Sequence, residues 1–115
     1  MAVTIYHNPR CSKSRATLTL LEGTGVELDI VDYLKTPPSK AEMNRILEGL
    51  GMEPRDLMRK NEEPYKALDL ADEGKSRDEL IAAMLESPIL IERPVVANGG
   101  KYALGRPPES VLDIL

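Results

Sequence analysis

The stretch Val3-Thr4-Ile5-Tyr6-His7-Asn8-Pro9-Arg10-Cys11-Ser12-Lys13-Ser14-Arg15 joins a strand to a helix across a short polar loop. Val3 to Tyr6 is apolar and rich in β-branched residues, the composition of a strand. Beyond the loop, Thr17, Leu18 and Leu21 recur at helical spacing until Gly23 and Gly25 close the pattern. Cys11, the only cysteine, therefore stands at the tip of a strand and on the threshold of a helix. The unsatisfied amides and the dipole of a helix start stabilise an anion, so a thiol there ionises more readily than in water. Basic Arg10, Lys13 and Arg15 act in the same direction. A lone cysteine can equally be a small buried hydrophobe without chemistry. Its polar and basic neighbours, and its absence from any apolar stripe, favour a reactive thiolate.

A length of 115 residues with 42% apolar composition suits one domain with its own core. With neither Phe nor Trp, that core is expected to rest on Leu, Ile, Val, Met and Ala. The net charge of −4 argues against a general nucleic-acid binder, which would present a basic face. No apolar run approaches a membrane span, and Met1-Ala2-Val3 leads into the first strand without the features of a signal peptide. One free thiol with no possible internal disulfide fits a reducing compartment, so a cytoplasmic location is expected. Counting also removes several chemistries. One Cys and one His cannot form a structural zinc site, and no glycine-rich phosphate loop or dinucleotide fingerprint is present. Ser14 occupies the second position of a would-be Cys-x-x-Cys pair, and Thr17 the position where a phosphatase-type loop carries Arg. Whatever Cys11 does requires distant residues or a second molecule.

Leu28 to Tyr33 reads as a second strand, parallel to the first through the helical crossover. Thr36-Pro37-Pro38 breaks it. Ser39-Lys40-Ala41-Glu42 has the form of a capping box, followed by a stripe of Met43, Ile46, Leu47 and Leu50 that ends at Gly49 to Gly51. A second box, Ser76-Arg77-Asp78-Glu79, opens a helix with Leu80, Ile81, Met84 and Leu85. Residues 54–75 between them suggest short helical turns. Residues 34–87 are thus expected to form a helical block inside a single domain spanning 1–115.

Further on, Ile89 to Ala97 leads to Asn98-Gly99-Gly100 and then to Lys101-Tyr102-Ala103-Leu104-Gly105-Arg106-Pro107. A Gly-Gly step suits a two-residue hairpin turn with positive φ angles. With Gly99-Gly100 as the loop, Asn98 pairs with Lys101, Ala97 with Tyr102, Val95 with Leu104, and Arg93 falls opposite Arg106. Directly opposed residues have Cβ atoms roughly 4.5–5.5 Å apart, where like charges repel unless an anion lies between them. Pro94 and Pro107 follow the two arginines and restrict their backbones. Two solvated charges at a frayed strand end are the plain alternative. Pro108 to Leu115 reads as a terminal helix with Pro near its start and Glu109 in the first turn.

The order strand, helix, strand, helical block, hairpin, helix resembles a thioredoxin-like (glutaredoxin-type) α/β domain. Its mixed sheet would carry a helical insertion between the second strand and the C-terminal hairpin. Over essentially its whole length the sequence also resembles the glutaredoxin- and glutathione-dependent arsenate reductases (ArsC-like). The matching segments are Tyr6-His7-Asn8-Pro9-x-Cys11, Tyr33-Leu34-x-Thr36-Pro37-Pro38, Leu57-Met58-Arg59-Lys60, Glu63-Pro64-Tyr65, Pro88-Ile89-Leu90-Ile91-x-Arg93-Pro94 and Gly105-Arg106-Pro107-Pro108. The likeness is nearest to the short arsenate-reductase homologues whose active loop reads Asn-Pro-Arg-Cys-Ser-Lys-Ser-Arg.

That resemblance implies Cys11 as nucleophile, with Arg59, Arg93 and Arg106 around an oxyanion; Arg59 is assigned by the resemblance alone. It implies that Pro94 is a cis-proline lying against Cys11, that His7 tunes or hydrogen-bonds the thiolate, and that Ser14 helps to hold it. A surface or capping role for His7, and an ordinary first-turn role for Ser14, are the alternatives. The implied reaction is reduction of arsenate to arsenite through a thiol-arsenate adduct, with no bound cofactor. Glutathione and glutaredoxin would be the reducing partners and phosphate a non-reacting competitor. Two other readings stay open: a glutathione-dependent thiol or mixed-disulfide reductase, and a non-enzymatic regulator that binds RNA polymerase.

Overall fold

Alternation along Val3–His7 forms the first strand, β1, with Val3, Ile5 and His7 on one face. The computed structural model describes residues 2–115, and the chain divides into two compact units: Met1–Thr36 with Arg93–Leu115, and Pro37–Glu92.

In the first unit, helix α1 (Ser12–Gly23) follows β1 and returns the chain to β2 (Leu28–Asp32). β2 runs parallel to β1, with Val3 beside Leu28 and His7 beside Asp32. β3 (Val95–Asn98) lies antiparallel on the other side of β1, pairing Ile5 with Val96. β4 (Lys101–Leu104) completes a mixed sheet of order β2-β1-β3-β4. The hairpin has the register expected from the Gly-Gly step: Asn98 with Lys101, Ala97 with Tyr102 and Val95 with Leu104. Gly99 takes φ +63 in the turn, a conformation that costs a residue without Cβ little.

One face of this sheet carries the core. Val3 and Ile5 of β1 and Val96 of β3 pack with Leu21 of α1 and with Val111 and Ile114. The segment expected as a terminal helix is a 3₁₀ helix, Pro108–Ile114. Three residues per turn align Val111 and Ile114 on one side, and both are buried against the core while Leu112 and Leu115 face out. Val111 and Ile114 are the two apolar anchors of this segment.

The second unit, Pro37–Glu92, contains the helices of the expected block. Helix α2 (Lys40–Leu50) begins where the Ser39 hydroxyl accepts from the Glu42 amide, and Gly51 at φ +65 ends it. A 3₁₀ turn (Pro54–Leu57) and helix α3 (Glu63–Ala67) follow. Both hydrogen bonds of the Ser76–Glu79 capping box are made at the start of helix α4 (Arg77–Glu86). Met43, Ile46 and Leu47 of α2 and Leu80, Ile81 and Met84 of α4 are buried. The segment before the hairpin is not continuous strand: Pro88–Leu90 is a 3₁₀ turn and Ile91 makes an isolated bridge to Met58. Among the described residues no helix is long and apolar enough to cross a membrane.

Candidate active site

The loop between β1 and α1 is built by local hydrogen bonds. The Cys11 amide donates to the Asn8 carbonyl (3.0 Å), closing a turn with Pro9 at its second position. The Asn8 side chain accepts from the Arg10 amide (3.0 Å), and the Arg15 guanidinium donates to the Pro9 carbonyl (3.0 Å). Cys11, partly buried, becomes the N-cap residue of α1. It makes no side-chain capping hydrogen bond of standard geometry, yet the amides at the helix start point at its sulfur. Burial pushes the thiol up; the Ser14 amide, the Arg93 guanidinium and the Lys13 amide together outweigh it, so the thiol titrates below the ordinary cysteine value. The expectation of an acidic thiol rested on the helix start and on Arg10, Lys13 and Arg15; the helix-start amides act as expected, while the guanidinium that acts on the thiol is that of Arg93.

Arg93 arrives from the hairpin. One step beyond the Val95–Leu104 pair, the Gly105 amide donates to the Pro94 carbonyl (2.8 Å), so Arg93 and Arg106 are the next residues outward on the two arms. Arg93 is buried, with 8% of its surface exposed, and hydrogen-bonds the thiol; Arg106 is exposed. The peptide bonds Arg93–Pro94 and Arg106–Pro107 are both cis. The second has no counterpart in what the sequence leads one to expect.

His7 continues the face of Val3 and Ile5 one step past the core, which brings its ring to the first turn of α1. Its Nδ1 lies 2.7 Å from the Ser14 hydroxyl, which also accepts from the Asn8 amide at 3.0 Å. Burial pushes the His7 pKa down, Asp32 pulls it up and Arg15 pushes it down again, leaving it below the ordinary histidine value. A neutral ring accepts the Ser14 hydroxyl proton at Nδ1, while the Asn8 amide fills an acceptor site on that oxygen. Ser14 thus faces the thiol with its amide and braces the loop with its side chain, and His7 meets the site through Ser14.

A soft nucleophile, a buried guanidinium and an exposed second one are the equipment for attack on a tetrahedral oxyanion. The profile of the ArsC family matches residues 6–114. The chain belongs to the ArsC family. An arsenate reductase of Escherichia coli is 47% identical over 113 residues, spanning 98% of this chain and 80% of the relative. The protein named Uncharacterized protein YfgD of Escherichia coli K12 is 54% identical over 114 residues, spanning 98% and 96%. Among solved structures, an arsenate reductase from Vibrio cholerae matches with a TM-score of 0.96 at 53% identity, covering 100% of this chain and 98% of that one. The fold is the thioredoxin-like α/β class of its ArsC-family neighbours.

Of the residues singled out in this ArsC-family sequence, Cys11, His7, Ser14, Arg93, Pro94 and Arg106 all fall in the first unit. Arg59 falls in the second, where its amide donates to the Leu90 carbonyl (2.7 Å). Its guanidinium lies 3.5 Å from Glu62 and 3.9 Å from Glu92.

Three residues that support the site have no role assigned from the sequence. Asn8 is buried and braces the loop through three hydrogen bonds, a role that an Asn before Pro could have suggested. Thr17 is fully buried and its hydroxyl donates to the Lys13 carbonyl (2.8 Å). Gly105 sits between Thr17 and Pro94: a Cβ there would lie 2.7 Å from Thr17 Oγ1 and 2.7 Å from Pro94 Cγ. Neighbours would have to move, so Gly105→Ala is expected to destabilise the protein by about 1–3 kcal/mol. Thermal unfolding followed by circular dichroism reads this directly, and an unchanged midpoint would mean that the turn yields freely.

The thiol shift has its own test. A thiolate exists above its pKa and is lost as pH falls through it, so a lowered pKa keeps Cys11 reactive further into the acid range. Alkylation by neutral iodoacetamide, followed against pH by mass spectrometry, should reach half its plateau below the midpoint of the same cysteine in the unfolded chain. Coincident midpoints would remove the case for an activated thiol.

Proposed function

We propose that this protein reduces arsenate to arsenite, using Cys11 as a nucleophile and external thiols as the source of electrons. The observation that carries the reading is the acidic Cys11 thiol hydrogen-bonded by Arg93 at the start of α1. Membership of the ArsC family, and relatives named arsenate reductase along essentially the whole chain, supply the substrate.

Arg93 and Arg106 receive the arsenate oxygens, planar donors matched to a tetrahedral oxyanion; the part of Arg59 rests on its family motif alone. The Cys11 thiolate attacks arsenic, an As–O bond breaks, and the departing oxygen leaves as water after taking up protons. The guanidinium groups offset the charge that builds during this step. Conversion of As(V) to As(III) then consumes two electrons. A lone cysteine cannot supply them and also return to the thiol state. They come from two external thiols, one of glutathione and one of glutaredoxin, which end as a disulfide while Cys11 is released as thiolate and arsenite departs. No bound cofactor takes part. Phosphate occupies the same site without reacting, because attack on phosphorus leads to no reduction.

Arsenite production by the purified protein with arsenate, glutathione and glutaredoxin tests this, with phosphate added as a competitive inhibitor. Turnover that needs both thiols and weakens with phosphate is the expected result. A protein that ignores arsenate but releases glutathione from a glutathionylated substrate would overturn the reading in favour of a mixed-disulfide reductase.

A further inference from the structure

The charge around Cys11 is distributed unlike that of the rest of the chain. No acidic residue precedes Glu22, although the whole sequence carries 19 Asp and Glu against 15 Lys and Arg. Helices α2 and α4 place acids in their first turns, Glu42 in one and Asp78 with Glu79 in the other; α1 has none there and carries Lys13 instead. A cation in that position opposes the helix dipole and costs stability.

The basic residues of the loop also differ in what they do. The Arg15 guanidinium is committed to the Pro9 carbonyl, and Arg93 is buried against the thiol. Arg10 and Lys13 are exposed, and among the described residues no ion pair engages either side chain. What holds them in place is backbone: the Arg10 amide is fixed on Asn8, and the Lys13 amide points at the sulfur. Two exposed cations that form no ion pair among the described residues thus stand next to Cys11 in the chain, one residue before it and two after.

We infer that Arg10 and Lys13 are specificity residues that favour anionic thiols and disulfides at Cys11 over neutral or cationic ones. The inference rests on the reading of Cys11 as a thiol that must exchange with external thiols. It adds the residues that would select the partner by charge: a small thiol with more carboxylates than amines is favoured through Arg10 and Lys13. Long-range attraction of this kind acts mainly on the association rate and weakens with salt.

The exchange reaction itself supplies the test and needs no arsenate. The Cys11 thiolate attacks one sulfur of a symmetrical disulfide, the S–S bond breaks, a mixed disulfide forms on Cys11 and one thiolate leaves. Rates are measured with oxidised glutathione (anionic), bis(2-hydroxyethyl) disulfide (neutral) and cystamine (cationic), for the wild type and for the double variant Arg10→Gln, Lys13→Gln. Intrinsic disulfide reactivity cancels in the ratio of wild type to variant. Dividing by the iodoacetamide rate at the same pH removes any change in thiolate fraction. The variant should lose about 3–10-fold with oxidised glutathione, stay within about twofold with the neutral reagent and gain with cystamine. In the wild type the preference should shrink at high salt. Equal ratios for all three disulfides, or a preference insensitive to salt, would overturn the inference. Charge selectivity in a protein that fails to reduce arsenate would uphold it and refute the reductase reading alone.

Discussion

Cys11→Ser should abolish arsenite formation, lowering it by at least about a thousandfold, with the fold intact. Sulfur is the soft partner that arsenic takes, and a thiol lowered by two amides and a guanidinium ionises far more readily than a serine hydroxyl. The same donors cannot bring an alcohol into the neutral range, so the replacement removes the nucleophile while keeping the shape. Stability gives the control. Residue 11 is the N-cap of α1, with extended backbone angles (φ −95, ψ 124) suited to that position. Serine is a favoured N-cap whose oxygen can accept from the amides that now face sulfur, so the variant should melt at or slightly above the wild-type temperature. Lost activity with unchanged melting assigns the effect to chemistry. Retained arsenite formation would place the nucleophile elsewhere, and the sequence holds no other thiol.

Arg93→Ala should cut kcat/KM for arsenate by about 10²–10³-fold and also raise the pH at which the thiol ionises. The two effects have one origin, since the Arg93 guanidinium both hydrogen-bonds the sulfur and acts on it as a charge. Removing it leaves burial, which pushes the thiol up, opposed only by the Ser14 and Lys13 amides. The iodoacetamide profile should therefore move toward higher pH in the variant, with reactivity at neutral pH falling accordingly. Arg93→Lys keeps a charge but loses the planar pair of donors, and should recover the thiol ionisation better than the arsenate kinetics. An unchanged alkylation profile in Arg93→Ala would show that the guanidinium does not act on the thiol. Unchanged arsenate kinetics would remove Arg93 from the oxyanion site.

The elements legible in the sequence are those set by local rules. Gly99-Gly100 fixes a two-residue turn, and the turn fixes the pairing of Val95 with Leu104. That pairing, counted outward along the two arms, is enough to put Arg93 and Arg106 at one end of the hairpin. Ser76 and Glu79 announce the start of α4 through a motif that is complete within four residues. The 3₁₀ winding of Pro108–Ile114 is not legible, because Val111, Leu112, Ile114 and Leu115 fit an α-helical stripe as well. A spacing of three between Val111 and Ile114 suits either winding, so the choice is not encoded in the pattern. His7 and Ser14 lie seven residues apart across a strand, a turn and a helix start, so no periodicity relates them. Arg59 is invisible to local reading, since a basic residue beside Lys60 has the pattern of ordinary surface charge. Gly105 belongs to a matched segment, yet its packing constraint is not legible: it comes from Thr17 and Pro94, both distant in sequence.

The Gly99–Gly100 turn behaves as a ruler held at the wrong end. It lies at the opposite end of the strands from Cys11 and touches nothing that reacts, yet its length counts out where Arg93 and Arg106 come to rest. Because side chains alternate with a period of two, one residue added there would slip one arm against the other and exchange its faces. Changes of letter in the turn are cheap, provided positive φ remains accessible at Gly99. Changes of length are not. A lineage of such proteins is free to vary the composition of this loop while its residue count stays fixed, a constraint imposed by chemistry taking place at the far end of the strands.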